Sequence, residues 1–224
     1  ALVMVAAECR NPRVRKLEQW ARQQGVNVVT ESRAVLDRRS DDQRHQDILA
    51  EFRADNLFTE KELPALLDSM AEPALILVLD GVQDPHNLGA CLRTAEAAGA
   101  GLVVLPKDKS AGLTPVARRA ASGAAETLPI LFATNLARTL KALKEGGIWL
   151  AGTTDQAEQS LFEADLGGPL ALVMGSEGKG MRRLTAELCD FHVRIPMQGT
   201  VASLNVSVAT AVCLFEIVRQ RSAT

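Results

Sequence analysis

The sequence predicts an α/β protein: a small N-terminal unit, then a larger domain built on a mostly parallel sheet. Two observations carry this expectation. From residue 75 onward, short and almost uninterrupted apolar runs alternate with helical patterns, as in a sheet covered by helices on both faces. Before residue 70 that rhythm is absent, and one strand–helix–strand pattern gives way to a charged stretch. The expected divisions are residues 1–55, a connecting segment at 56–72, and the main domain at 73–224.

In chain order, LVMVA (2–6) reads as a strand. Asn11 and Pro12 then open a helix as N-cap and first-turn residue, and Gly25 closes it. VNVVT (26–30) is a second strand, residues 37–47 are charged and unpatterned, and ILAEF (48–52) reads as a short strand. RADNLFTEKELP reads as a linker with one helical turn. The main domain follows as LILVL (75–79), a helix at 88–98, GLVVL (101–105), a helix from about 113, and TLPIL (127–131). A helix at 135–145, IWLAG (148–152), LALVM (170–174), a helix at 181–188, FHVRI (191–195) and a helix from about 203 to 221 complete it.

Composition narrows the function classes. With 47% apolar residues in 224, a sizeable core is available. No apolar stretch approaches the ~20 residues that span a bilayer, and residues 1–10 lack a signal-peptide pattern. The first residues, ALVMVAAECR, lack an initiator Met and read like a strand under way, which suggests a missing N-terminal piece. Cys9, Cys91, Cys189 and Cys213 are scattered, and His45, His86 and His192 lack ligand spacing, so no disulfide framework or metal site is expected. This cysteine usage points to the cytoplasm.

Net charge is −2, unlike the basic balance of a dedicated nucleic-acid binder. Basic residues nevertheless cluster at Arg10, Arg13, Arg15 and Lys16, at Lys107 and Lys109, at Arg118 and Arg119, and at Arg182 and Arg183. Singly, each reads as a solvated helix face. Jointly they can track a phosphate backbone.

In parallel sheets, ligands bind beyond the carboxyl ends of the strands. Three such ends stand out: Asp80 to Arg93, GSEGKGM (175–181), and PMQGTVASLNVSVAT (196–210). Alone, each reads as a cap or a tight turn. Three polar, glycine-rich loops at one sheet edge read as a site. GSEGKG is neither GxGxxG nor a P-loop, because Gly180 follows Lys179 where Ser or Thr is required. The first strand–helix turn, DGVQDPHNLGA (80–90), lacks the glycines that let backbone approach a pyrophosphate, so a nicotinamide-type oxidoreductase is disfavoured.

DPHNLGACLRTAEAAG, LVMGSEGKGM and IPMQGTVASLNVSVATAV resemble, in order and spacing, the three motifs of the SpoU-type (SPOUT) RNA 2′-O-ribose methyltransferases. The resemblance covers about residues 73–221. Likeness across the first 70 residues and into NLART (135–139) is greatest to the branch that methylates a guanosine ribose of 23S ribosomal RNA. Other RNA targets, transfer RNA included, or a non-catalytic RNA-binding homologue are the alternatives. The resemblance implies a C-terminal trefoil knot binding S-adenosyl-L-methionine, a homodimer, and an L30e-like N-terminal domain contacting RNA. That branch has His-Gln-Gly where this chain has His45-Gln46-Asp47, and an additional first helix.

The same resemblance assigns residues. Asn87, Arg93, Glu177, Ser203 and Asn205 match the polar catalytic set. Gly175, Ile195 and Leu204 match positions that hold the cofactor, and Thr153, Met174, Met197 and Gly178 complete that pocket. Arg93 suits a phosphate beside the target ribose, since its planar fork binds two oxygens. Asn87 and Asn205 can orient the loops, the 2′-hydroxyl or the cofactor carboxylate. The base stays open between Arg93, whose guanidinium remains protonated in proteins, and Glu177, the better acceptor on chemical grounds. Arg10, Arg13, Arg15, Lys16, Lys107 and Arg118 are the expected RNA contacts.

Overall fold

The computed structural model describes residues 1–40, 44–52, 54–201 and 203–222. The chain forms two compact units, Ala1–Asp55 and Asn56–Thr224.

In the first unit, β1 (Leu2–Ala6) lies between β2 (Asn27–Glu31), which is parallel to it, and β3 (Ile48–Glu51), which is antiparallel. Helix α1 (Pro12–Gln23) begins as its residues dictate: the Asn11 side chain accepts the Arg13 N–H at 3.0 Å, and Pro12 needs no donor in the first turn. Its buried Val14 and Ala21 stand two turns apart and face the strands.

A second helix, α2 (Arg33–Arg39), occupies part of the stretch that reads as charged and unpatterned, whose residues 41–43 lie outside the described ones. Seven residues with one buried side chain, Leu36, are too short to show a periodicity. His45 is more than a loop histidine. Its side chain is 3% exposed, its Nε2 bonds Asp37 Oδ1 at 2.8 Å, and its Nδ1 accepts the Asp47 N–H at 3.1 Å.

Asp47 itself has φ +67°, the left-handed region that favours glycine. Asp47→Gly should therefore raise stability by about 0.5–1 kcal/mol, read as a higher denaturation midpoint. The ion pair it sacrifices, to an exposed Arg33 at 3.6 Å, is worth less than that. A lower midpoint would reverse this ranking.

The second unit opens with β4 (Leu57–Thr59), a turn of 3₁₀ helix (Glu60–Glu62) and α3 (Leu63–Asp68). Composition makes 56–72 look like a connector, because the strand is three residues long and alternates nothing legible. In the structure β4 pairs with residues 130–132 as an edge strand. Glu62 and Thr59 complete a capping box, Leu63 is buried, and the Asn56 amide donates to the carbonyls of Ala125 and Leu128.

There follow β5 (Leu75–Asp80), α4 (Pro85–Ala97), β6 (Leu102–Pro106), α5 (Pro115–Ala121), α6 (Ala124–Thr127), β7 (Ile130–Ala133) and α7 (Leu136–Glu145). β8 (Trp149–Thr153), β9 (Leu170–Gly175), α8 (Arg183–Leu188), β10 (Phe191–Val193) and α9 (Val206–Ser222) complete the chain. The seven strands run β10-β8-β9-β5-β6-β7-β4, and every pairing is parallel. The expected sheet is thus present.

Alternate residues of β5 divide between two cores. Leu75, Leu77 and Leu79 pack with Leu88, Cys91 and Leu92 of α4 and with Cys213, Leu214 and Ile217 of α9. Ile76 and Val78 face the other side, with Leu136, Leu140 and Leu143 of α7 and Leu63 of α3. Burial pushes the Cys91 thiol up to about 11 and that of Cys213 up to about 12, so both behave as small apolar side chains.

Several helix boundaries differ from expectation: α4 starts at Pro85 instead of 88, and α8 at Arg183 instead of 181. The helix expected from about 113 starts at Pro115 and breaks at Ser122 and Gly123, both with positive φ. The last helix starts at Val206 instead of 203, because the Asn205 side chain accepts the Ser207 N–H at 2.9 Å and caps it. Among the described residues no helix is long and apolar enough to cross a membrane.

Candidate active site

Strands β5 and β9 lie side by side, with Asp80 opposite Gly175 at their carboxyl ends. On one side of this pair the chain runs to β6, on the other the sheet continues through β8 and β10, so a crevice opens between the loops.

After Gly175 the chain makes a closed turn. Ser176 N–H donates to Gly180 O at 3.0 Å, and Gly180 N–H donates back to Ser176 O at 2.9 Å. A Cβ at Gly175 would overlap the carbonyl carbon of Gly180 and the amide nitrogen of Met181, so only glycine lets the turn fold back so closely. The turn carries Glu177 at its tip.

After β5, the Asp84 side chain accepts the His86 N–H at 2.9 Å and starts α4, which places Asn87 in its first turn at 9% exposure. Asn87 Nδ2 donates to Glu177 Oε1 at 2.9 Å. Asn205 Nδ2 donates to the same Oε1 at 2.8 Å and lies 3.1 Å from Asn87 Oδ1. Asn205 Oδ1 is held in turn by the N–H of Ser207, at 2.9 Å, and by its hydroxyl, at 2.6 Å. Three residues drawn from three distant motifs therefore form one network of charge-assisted hydrogen bonds.

This network borders a cavity of about 550 Å³, within the range of small-ligand sites. All seven residues expected at the cofactor, Thr153, Met174, Gly175, Gly178, Ile195, Met197 and Leu204, line it. Ser203, Glu177 and Asn205 line it too. The Thr153 hydroxyl donates to the Val173 carbonyl at 3.1 Å, which binds the end of β8 to β9. Met174, Ile195 and Leu204 offer apolar walls for a planar base, while Ser176, Gly178 and Gly180 of the closed turn also line the cavity. This donor set fits S-adenosylmethionine: an apolar slot for adenine, and polar groups for ribose and the amino-acid arm.

Arg93 stands apart. It is exposed on α4, its Nη1 is 3.4 Å from Ser122 Oγ, and it neither joins the network nor lines the cavity. Among the expected RNA contacts, Arg10, Arg13 and Lys16 are exposed, Arg15 pairs with Glu18 at 2.9 Å, and Lys107 is exposed beyond β6. Arg118 is bound to Glu126 at 2.6 Å, which ties up its charge within the domain.

The profile of the SpoU rRNA Methylase family matches residues 74–215, which include every element of this site. The chain belongs to the SpoU rRNA methylase family. A second profile, RNA 2′-O ribose methyltransferase substrate binding, matches residues 2–58. Over 177 residues the chain is 61% identical to the 23S rRNA (guanosine-2′-O-)-methyltransferase RlmB of Pseudomonas putida, covering 79% of this chain and 71% of that protein. It is 54% identical to the enzyme of the same name from Pseudomonas syringae pv. tomato, covering 97% of this chain and 87% of that protein. Among solved structures, the SpoU methyltransferase AviRb of Streptomyces viridochromogenes, in complex with the cofactor AdoMet, is similar with a TM-score of 0.80. Identity there is 25%, with 100% of this chain and 83% of AviRb covered.

Two parts of this SpoU methylase site escaped the sequence reading. Thr154 and Asp155, just beyond the expected Thr153 at the end of β8, also line the cavity. Their signal was available: TTDQ is polar and follows directly on a buried strand. The other part is the pairing of Asp80 with Arg182, which no local pattern marks.

Proposed function

We propose that the chain is an S-adenosylmethionine-dependent RNA methyltransferase that methylates the 2′-hydroxyl of a guanosine in 23S ribosomal RNA. The observation that carries this reading is the Asn87–Glu177–Asn205 network at the rim of a cavity of cofactor size. The relatives named above support the substrate, at 54–61% identity.

Bound S-adenosylmethionine supplies an electrophilic methyl group on a sulfonium. The chain's task is to hold the ribose hydroxyl in line and dry, so positioning dominates. Asn87 and Asn205 both donate to Oε1 of Glu177, which fixes the carboxylate and leaves Oε2 to take the hydroxyl proton. Ser203, exposed at the cavity, is suited to a hydrogen bond with the incoming ribose. Arg93 holds a neighbouring phosphate.

Mapping ribose methylation on ribosomal RNA from cells lacking the protein tests this reading. One guanosine of 23S RNA should lose its methyl group and regain it with the wild-type gene, not with Glu177→Gln. Loss of methylation from transfer RNA alone would overturn the substrate.

The same reading includes the trefoil-knotted path of the C-terminal chain, an L30e-like fold for the N-terminal unit, cytoplasmic location and a homodimer. Val208 and Phe215, both exposed and seven residues apart on α9, support the dimer as a shared apolar stripe. The N-terminal unit, with Arg10, Arg13 and Lys16 exposed, is read as the RNA-binding part. A fragment beginning at Asn56 should fold and bind cofactor with unchanged affinity, yet methylate RNA about tenfold more slowly at limiting substrate. Starting at Glu72 instead would remove β4 and α3 and uncover the core beneath them. Equal turnover by the Asn56 fragment and the full chain would refute this role for the N-terminal unit.

A further inference from the structure

The carboxylate of Asp80 takes no part in the network at the cavity rim, yet its side chain is fully buried at the end of β5. Its Oδ2 accepts the backbone N–H of Arg182 at 2.8 Å, and its Oδ1 lies 3.4 Å from Arg182 Nε. Removing a carboxylate from water costs several kcal/mol, so an uncharged residue would fill this place more cheaply if packing were its whole role. What Asp80 grips is informative. Arg182 is two residues beyond Gly180, where the turn bearing Glu177 closes on itself. Asp80 is also seven residues before Asn87, on the strand that delivers Asn87 to Glu177. The Arg182 guanidinium folds back over this same stretch, with Nη2 3.6 Å from where a Cβ on Gly81 would stand.

One buried acid thus binds the exit of the Glu177 turn to the root of the Asn87 loop. The turn needs such an anchor. Its own closure is the Ser176–Gly180 hydrogen-bond pair, and Gly178 and Gly180 both have positive φ, so little within the turn itself resists a shift of the whole segment.

We propose that Asp80 is a positioning residue for methyl transfer: by clasping Arg182 it keeps the 175–181 turn in register, so that Glu177 stays within hydrogen-bond reach of Asn87 and Asn205. A displacement of about 1 Å at a reacting group can cost a hundredfold in rate, so an anchor that acts through Glu177 has leverage without touching substrate. This rests on the reading of Glu177 given above.

The test is a double-mutant cycle on the full-length protein, read as single-turnover methylation of 23S RNA per cofactor-binding molecule. Asp80→Asn, which keeps an acceptor for the Arg182 N–H but loses the charge, should slow the step about tenfold while KM for RNA changes less than about twofold. Glu177→Gln alone should slow it at least about tenfold, and adding Asp80→Asn to it should cost less than about twofold more. Arg182→Ala is the safeguard against a misfolded Asp80 variant, since it keeps the backbone half of the clasp; it should slow the step about threefold to fivefold. Equal slowing by Asp80→Asn in the presence and absence of Glu177 overturns the proposal, as does a wild-type rate in Arg182→Ala. A rate that falls only in proportion to the folded fraction also overturns it, leaving Asp80 a stabilising group alone. A wild-type rate in Glu177→Gln is distinguishable from all of these, because it removes the reading of Glu177 itself.

Discussion

Gly175→Ala should abolish measurable cofactor binding, an affinity loss of at least about a hundredfold by calorimetry, and methylation with it. The added methyl would occupy the space of the Gly180 carbonyl carbon and the Met181 nitrogen. These are backbone atoms, so no side-chain rotation can make room. The turn must move outward, taking with it Gly178, which lines the cavity, and Glu177, which organises its rim. Overpacking of this kind costs about 1–3 kcal/mol, enough to lower the denaturation midpoint without unfolding the domain. Wild-type cofactor affinity in a folded Gly175→Ala protein would mean that the turn is not the cofactor's cradle.

Arg93→Lys should show the opposite pattern. Arg93 lies outside the cavity lining and contacts Ser122 at 3.4 Å, so fold and cofactor affinity should stay near wild type. Methyl transfer should fall about a hundredfold, about 2.7 kcal/mol of transition-state stabilisation. Lysine keeps the charge but loses the planar fork, so a phosphate would be held by a mobile point charge. Single-turnover kinetics beside calorimetry read the two effects separately. Parallel loss of cofactor and activity would contradict the division between an RNA side and a cofactor side.

The main sheet was legible because its strands are buried on both faces and therefore spell themselves out as apolar runs. Asn11 and Pro12 announced α1 through capping chemistry that acts over two or three residues, whereas Asp84 and Pro85 start α4 three residues before the expected helix. The elements that went unread, α2 and β4, are short and bury too little to imprint a pattern. At the site, the glycines of the 175–181 turn and the residues of the three motifs could be named from their resemblance, and all the expected cofactor residues line one cavity. The meeting of Asn87 with Glu177, 90 positions apart, could not be derived from spacing. Nor could the grip of Asp80 on Arg182, 102 positions away. Both are consequences of strand order, and strand order is written in no local stretch.

The last helix has a mechanical consequence. At its far end, Arg221 donates to the carbonyls of Pro73, Ala74 and Gly168, beneath the strands at the edge opposite the cavity. At its near end, Asn205 caps it and joins the network with Glu177. Seventeen helical residues, about 25 Å of rigid rod, thus span the sheet from bottom to top. A rod seated at its foot cannot slide, so the carbonyls beneath the sheet set the height at which Asn205 meets Glu177.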